Sequence, residues 1–69
     1  MKIIAHNMFK CKIVEIQKGA VNGIVKIDLG NDVVITSSIT NTAIEELGLE
    51  VGKEASAIVK TSNVMVGVE

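Results

Sequence analysis

Between Asn7 and Ile16, and again between Ile24 and Leu29, apolar and polar side chains alternate one by one. A period of two belongs to a strand with one buried and one solvated face, and it argues against a helix, whose apolar residues recur every three or four. In NMFKCKIVEI, Phe9, Cys11 and Ile13 share a face opposite Lys10 and Lys12; in IVKIDL, Val25, Ile27 and Leu29 oppose Lys26 and Asp28. The Gly19–Gly23 stretch GAVNG between them carries residues that tolerate unusual backbone angles and predicts a turn. Gly30-Asn31-Asp32 then signals a hairpin leading into a third strand, VVITSSIT, with Val33, Ile35 and Ile39 on one face and Val34, Thr36 and Ser38 on the other.

The pattern changes at Thr42-Ala43-Ile44-Glu45, a Thr-x-x-Glu capping box that predicts the start of one short helix, with Gly48 as its stop. LEVGKE, Leu49 to Glu54, reads as a turn, and ASAIVK, Ala55 to Lys60, as a fourth strand with small residues on one face. After the polar break Thr61-Ser62-Asn63, VMVGV from Val64 to Val68 predicts a fifth strand. The expected fold is therefore all-β, a five-stranded OB-like Greek-key barrel with the helix between strands 3 and 4, in a single domain over residues 1–69. An open five-stranded meander capped by the helix is the alternative.

A chain of 69 residues can bury only about 60% of its unfolded surface, which makes a lone core marginal. Small domains compensate with disulfides, a structural metal or self-association. Cys11 is the single cysteine and His6 the single histidine, so neither an intrachain bridge nor a zinc-type cluster is available, and a homo-oligomer is expected. Phe9 is the one aromatic residue and the net charge is −1, so both the stacking platform and the basic footprint of a nucleic-acid binder are missing. No run approaches the roughly 20 apolar residues of a membrane helix, and MKIIAHNMFK lacks the apolar core of a secretion signal. A cytoplasmic protein with a reduced thiol is expected, with no membrane and no nucleic acid among its partners.

Catalysis needs a nucleophile beside a base, carboxylates in contrasting environments, or a metal with an open position. Cys11 in mid-strand reads as a buried structural thiol, and Glu45, Glu46 and Glu50 read as helix-capping and solvated residues, so no catalytic residue and no cation ligand is expected. Asn31 and Asp32 read as a hairpin tip, and the Gly19/Gly23 spacing lacks the downstream Lys-Ser or Lys-Thr of a phosphate loop. What remains is a set of hydrogen-bond donors at element ends: Thr36, Ser37, Ser38, Thr40, Lys60, Thr61, Ser62 and Asn63. Hydroxyl, ammonium and backbone N–H groups are what a tetrahedral dianion needs, although a solvated strand face carries such hydroxyls too.

In their order, Ala5-x-Asn7, KGAVNGIVKIDL (Lys18–Leu29), ITNTAIEELGLEVGKE (Ile39–Glu54) and Ile58-Val59-Lys60-Thr61-Ser62-x-Val64-Met65 span nearly the whole chain. This order resembles the molbindins, the molybdenum-pterin-binding proteins that share the TOBE/MOP module with molybdate transport ATPases and molybdate-responsive regulators. The resemblance implies an OB-like barrel, a homo-oligomer in which dimers pack into a hexamer, and molybdate or tungstate held at subunit interfaces. Nothing in the residues requires a pterin.

The family's ligands lie in a Ser-Ala-Arg-Asn motif, in the Ile-Thr before the helix, and in a Lys near the end with the residue after it. Here Thr40, Lys60 and Thr61 match, while Ile4 stands for Ser, His6 for Arg, and Ala43 for a frequent Ser. Ile4, Ala5 and Ala43 are left with backbone N–H groups as donors. Arg is permanently charged, whereas imidazole ordinarily titrates at about 6.5, so His6 is expected to be a conditional cation. The resemblance also implies a second oxyanion site at Gly19, Ala20, Val21 and Asn22. The expected function is storage of molybdate or tungstate without chemistry; the alternative is an oligomeric interaction or structural module that has lost its anion site.

Overall fold

The structure is a computed structural model that describes residues 6–69, with the side chain of His6 outside the description. Four strands form one antiparallel sheet among the described residues: β1 (His6–Lys18), β2 (Asn22–Gly30), β3 (Val33–Thr40) and β4 (Glu54–Lys60). A short helix, α1 (Asn41–Glu46), joins β3 to β4, and a single 3-10 turn (Thr61–Asn63) follows β4. The strand order is β3-β2-β1-β4. Three hairpin-linked strands, with a fourth returning beside the first, make the Greek-key order expected from the sequence.

β1 serves two partners. Its first half pairs with β4, from His6↔Lys60 to Lys12↔Glu54, and its second half with β2, from Lys12↔Asp28 to Lys18↔Gly23. The register slips between Ile13 and Glu15, so Val14 is a bulge residue. A bulge bends its strand and increases the local twist. Bent there, β1 turns its two halves toward different partners, and the sheet curls with it. At the bend Ile13 donates its N–H to the Lys53 carbonyl (2.9 Å) and accepts from Gly52 N–H (2.8 Å).

The alternation puts Cys11, Ile13, Val25, Ile27 and Ala57 inside, and Ile44 of α1 covers them. Ile16, Leu29, Ile35, Ile39, Leu49 and Ala55 pack around this cluster. Cys11 is a buried free thiol. Phe9 continues the inward face of β1 but remains 42% exposed, because no described element covers that end of the sheet. The Gly30–Asp32 hairpin forms as expected: Asn31 (φ 54°) and Asp32 (φ 63°) both take left-handed angles, the requirement of a two-residue primed turn.

Three expectations need correction. The fifth strand does not form within the chain: Met65, Val66 and Val68 are 94%, 90% and 95% exposed, and Val64–Val68 joins no ladder. A short apolar run shows that a segment can pair but does not supply the partner. The helix begins two residues earlier than the Thr42–Glu45 box suggests. Thr40 is its N-cap, with Oγ1 accepting from Ala43 N–H at 3.0 Å. The last residue of β3 is already extended, which is the backbone an N-cap requires. Finally, Asn22 and Gly23 belong to β2 rather than to the preceding turn. The stop at Gly48 is as expected: Gly48 N–H bonds to Glu45 O (3.1 Å) and Leu49 N–H to Ile44 O (3.0 Å), a Schellman closure with φ +64° at the glycine.

Candidate functional site

The donors singled out from sequence fall into two groups at opposite ends of β1. At its start, His6 stands across the ladder from Lys60, and Thr61 follows at the head of the 3-10 turn. Lys60 and Thr61 are exposed, and Lys60 makes no ion pair among the described residues. Lys18, Lys26 and Lys53, by contrast, lie within 4.0 Å of Glu45, Glu15 and Glu50. Ile4 and Ala5 lie outside the described residues.

At the other end, Lys18 pairs with Gly23, and Asn22 pairs with Thr40. The β1–β2 turn therefore lies beside the start of α1. Thr40 uses a lone pair to accept from Ala43, which leaves its O–H proton available to a ligand. The Ala43 N–H, expected to be a free donor, is engaged by that cap. Thr40 is thus brought to Gly19, Ala20, Val21 and Asn22, and one chain does not bring it to Lys60 and Thr61.

A residue passed over in the sequence holds this end together. Asn41 Nδ2 donates to the Gly19 carbonyl (2.8 Å), and Asn41 N–H donates to the Val21 carbonyl (2.8 Å). Gly19 N–H closes the turn on Asn22 O at 2.9 Å. Asn is a common residue at a helix start, but that signal points to capping, not to a tie onto a turn 22 positions earlier. Gly23 has no room for a side chain: a Cβ there would lie 2.6 Å from Ile44 Cδ1, 3.0 Å from Asn41 Oδ1 and 3.2 Å from Gln17 O. The Lys18–Glu45 ion pair (3.1 Å) also spans β1 and α1, but both side chains are about half exposed or more and it adds little.

Among the described residues no three His, Cys, Asp or Glu side chains gather as a cation site. Glu45 and Glu50 are taken up in separate pairs with Lys18 and Lys53. No helix of the described residues is long and apolar enough to cross a membrane. A groove of about 380 Å³ runs between the two edge strands and is lined by Ile39 and Ser37 of β3, Ala55 and Ser56 of β4, and Leu47 and Leu49 beyond α1. Its walls are largely apolar and carry no cation, so it is not where an oxyanion would bind.

A curled Greek-key sheet of four strands, one short helix after the third, and exposed donors at the strand ends define a small β module of the TOBE type. The TOBE domain model matches residues 5–66, and the chain belongs to that family. Among its relatives is the probable molybdenum-pterin-binding protein of Haemophilus influenzae, 55% identical over the full length of both chains. Molybdenum-pterin-binding protein 2 of Clostridium pasteurianum is 39% identical over 96% of this chain and 97% of its own. Of solved structures, ModG, described as a cytoplasmic molybdate-binding protein and solved with molybdate bound, superposes with a TM-score of 0.94 at 40% identity. It matches all of this chain and 49% of its own. MopII of C. pasteurianum matches at a TM-score of 0.88 and 37% identity, over 97% of this chain and all of its own.

Proposed function

We propose that the protein binds and stores molybdate or tungstate in the cytoplasm, in pockets formed where copies of the chain meet, and that it makes or breaks no bond. The observation that carries this reading is the placement of the donors. Thr40 and the Gly19–Asn22 turn sit at one end of β1, and His6, Lys60 and Thr61 at the other. Donors so separated converge on one small anion only when different copies supply them. Lys60 then provides the principal charge, Thr40 and Thr61 orient oxygens, and His6 adds a second cation when protonated. Ile4 and Ala5 add backbone donors, and Gly19–Asn22 a second oxyanion site. The relatives named as molybdate-binding or molybdenum-binding proteins support the choice of anion.

Self-association is supported by surface. The chain exposes 5557 Å², whereas a folded monomer of 7.3 kDa exposes about 4,200 Å². Both β3 and β4 are edge strands, with a largely apolar groove between them. Unpaired edges invite a strand from another chain. The exposed Val64–Val68 run of a second copy has the apolar, β-branched composition and the length to enter there and complete a five-stranded barrel. Dimers closed in this way would build the hexamer that the resemblance to molbindins implies.

The experiment is calorimetric titration of molybdate and tungstate into the wild type and Lys60→Ala, with solution mass measured in parallel. Strong binding that Lys60→Ala weakens at unchanged oligomer mass is expected; equal affinity in both would remove this site. A second reading, an oligomeric structural module without an anion site, is favoured by the engagement of the Ala43 N–H in the helix cap. An oligomer that retains no molybdate on dialysis would establish it.

A further inference from the structure

We propose that Asn41 is a positioning residue: its side chain holds the Gly19–Asn22 turn against the start of α1 so that the Ala20 N–H is aimed outward at a tetrahedral oxyanion. The inference rests on the oxyanion reading above and adds a residue outside the ligand set. Its basis is peptide geometry. The Gly19 carbonyl and the Ala20 N–H belong to one planar trans unit and point in opposite directions. The 2.8 Å bond from Asn41 Nδ2 to Gly19 O therefore fixes the Ala20 N–H facing away from Asn41. Among the described residues that N–H has no acceptor.

The turn has little freedom to choose another pose. Asn41 N–H holds the Val21 carbonyl at 2.8 Å, and Gly19 N–H holds Asn22 O at 2.9 Å. A Cβ at Gly19 would stand 2.6 Å from that same Asn22 O. Asn22 and Thr40 are ladder partners, so the turn held by Asn41 lies at the same end of the β2–β3 ladder as Thr40.

Fold stability alone does not call for an amide at this position. The backbone bond from Asn41 to Val21 forms with any residue except proline. The side chain gains one exposed bond, while its Oδ1 is buried and accepts from no described residue. For folding, a neutral hydrogen bond gained and an acceptor buried without a partner largely offset each other. What the amide contributes is the orientation of one peptide plane.

The test uses the full chain with Asn41→Ala and the milder Asn41→Ser. Molybdate is titrated calorimetrically into wild type and variants, and amide exchange at Gly19 and Ala20 is followed by NMR without anion. The expected result is a variant of wild-type mass and near wild-type thermal midpoint, with faster exchange in the turn and affinity reduced about five- to tenfold. A wild type that binds molybdate beside two variants of equal affinity overturns the role of Asn41 and leaves the oxyanion reading standing. A wild type that fails to bind overturns the oxyanion reading, and the purpose given to Asn41 with it. Unfolding of both variants would make Asn41 structural and also overturn the proposal.

Discussion

Gly23→Ala should destabilise the protein, although the position reads in the sequence as an ordinary turn glycine. Gly23 is buried in β2 beneath α1, and an added Cβ would meet Ile44 Cδ1 at 2.6 Å, Asn41 Oδ1 at 3.0 Å and Gln17 O at 3.2 Å. Ile44 Cδ1 is the end of a rotatable side chain, but Ile44 is 2% exposed within the core cluster and can move only into its neighbours. The Gln17 carbonyl is backbone of the adjacent strand and cannot retreat without opening the ladder. Overpacking of this kind costs about 1–3 kcal/mol. Replacing glycine by alanine recovers about 0.4–1 kcal/mol through a less flexible unfolded chain. Taking the middle of each range, the net cost is about 1.3 kcal/mol, a fall in Tm of roughly 5–10 °C for a domain of this size. The assay is thermal unfolding at fixed protomer concentration, since the midpoint of an oligomer depends on concentration. A Gly23→Ala midpoint equal to or above wild type would refute the packing argument.

Thr40→Ala should cost about 0.5–2 kcal/mol by removing the N-cap, whereas Thr42→Ala should be neutral within about 0.5 kcal/mol; denaturant titration that ranks them the other way would restore the Thr42 capping box. Deleting residues 64–69 should lower the solution mass to that of a smaller species, measured by light scattering, and an unchanged mass would exclude the exchanged strand. Imidazole ordinarily loses its charge at about pH 6.5, so the role proposed for His6 as a cation predicts that molybdate affinity falls between mildly acidic and mildly alkaline pH. His6→Arg should flatten that dependence, and a flat wild-type profile would remove His6 from the site. Ile44→Ala should cost about 2–5 kcal/mol by emptying the space between α1 and the sheet, read as a lower denaturation midpoint.

The strands were legible because each reports itself locally. Alternation at Phe9–Ile13 and Val25–Leu29 names the buried face before any partner is known, and β3 occupies the predicted Val33–Thr40. Gly30-Asn31-Asp32 and Gly48 announce a hairpin and a helix stop through backbone angles that few residues accept. The identities of the polar candidates were likewise readable, since hydroxyl and ammonium groups at strand ends are visible as residue types.

Tertiary structure decided the rest, because it depends on contacts between segments distant in the chain. The bulge at Val14 bends β1 and sets which half meets β4 and which meets β2. That division separates Thr40 from Lys60, a fact no motif spacing contains. The cap at Thr40 engages the Ala43 N–H, and Asn41 reaches its acceptor on Gly19 because the pairing of β2 with β3 sets the turn beside the helix start. Val64–Val68 shows the limit most plainly: its sequence states a capacity to pair, and a backbone ladder exists only where a second strand meets it.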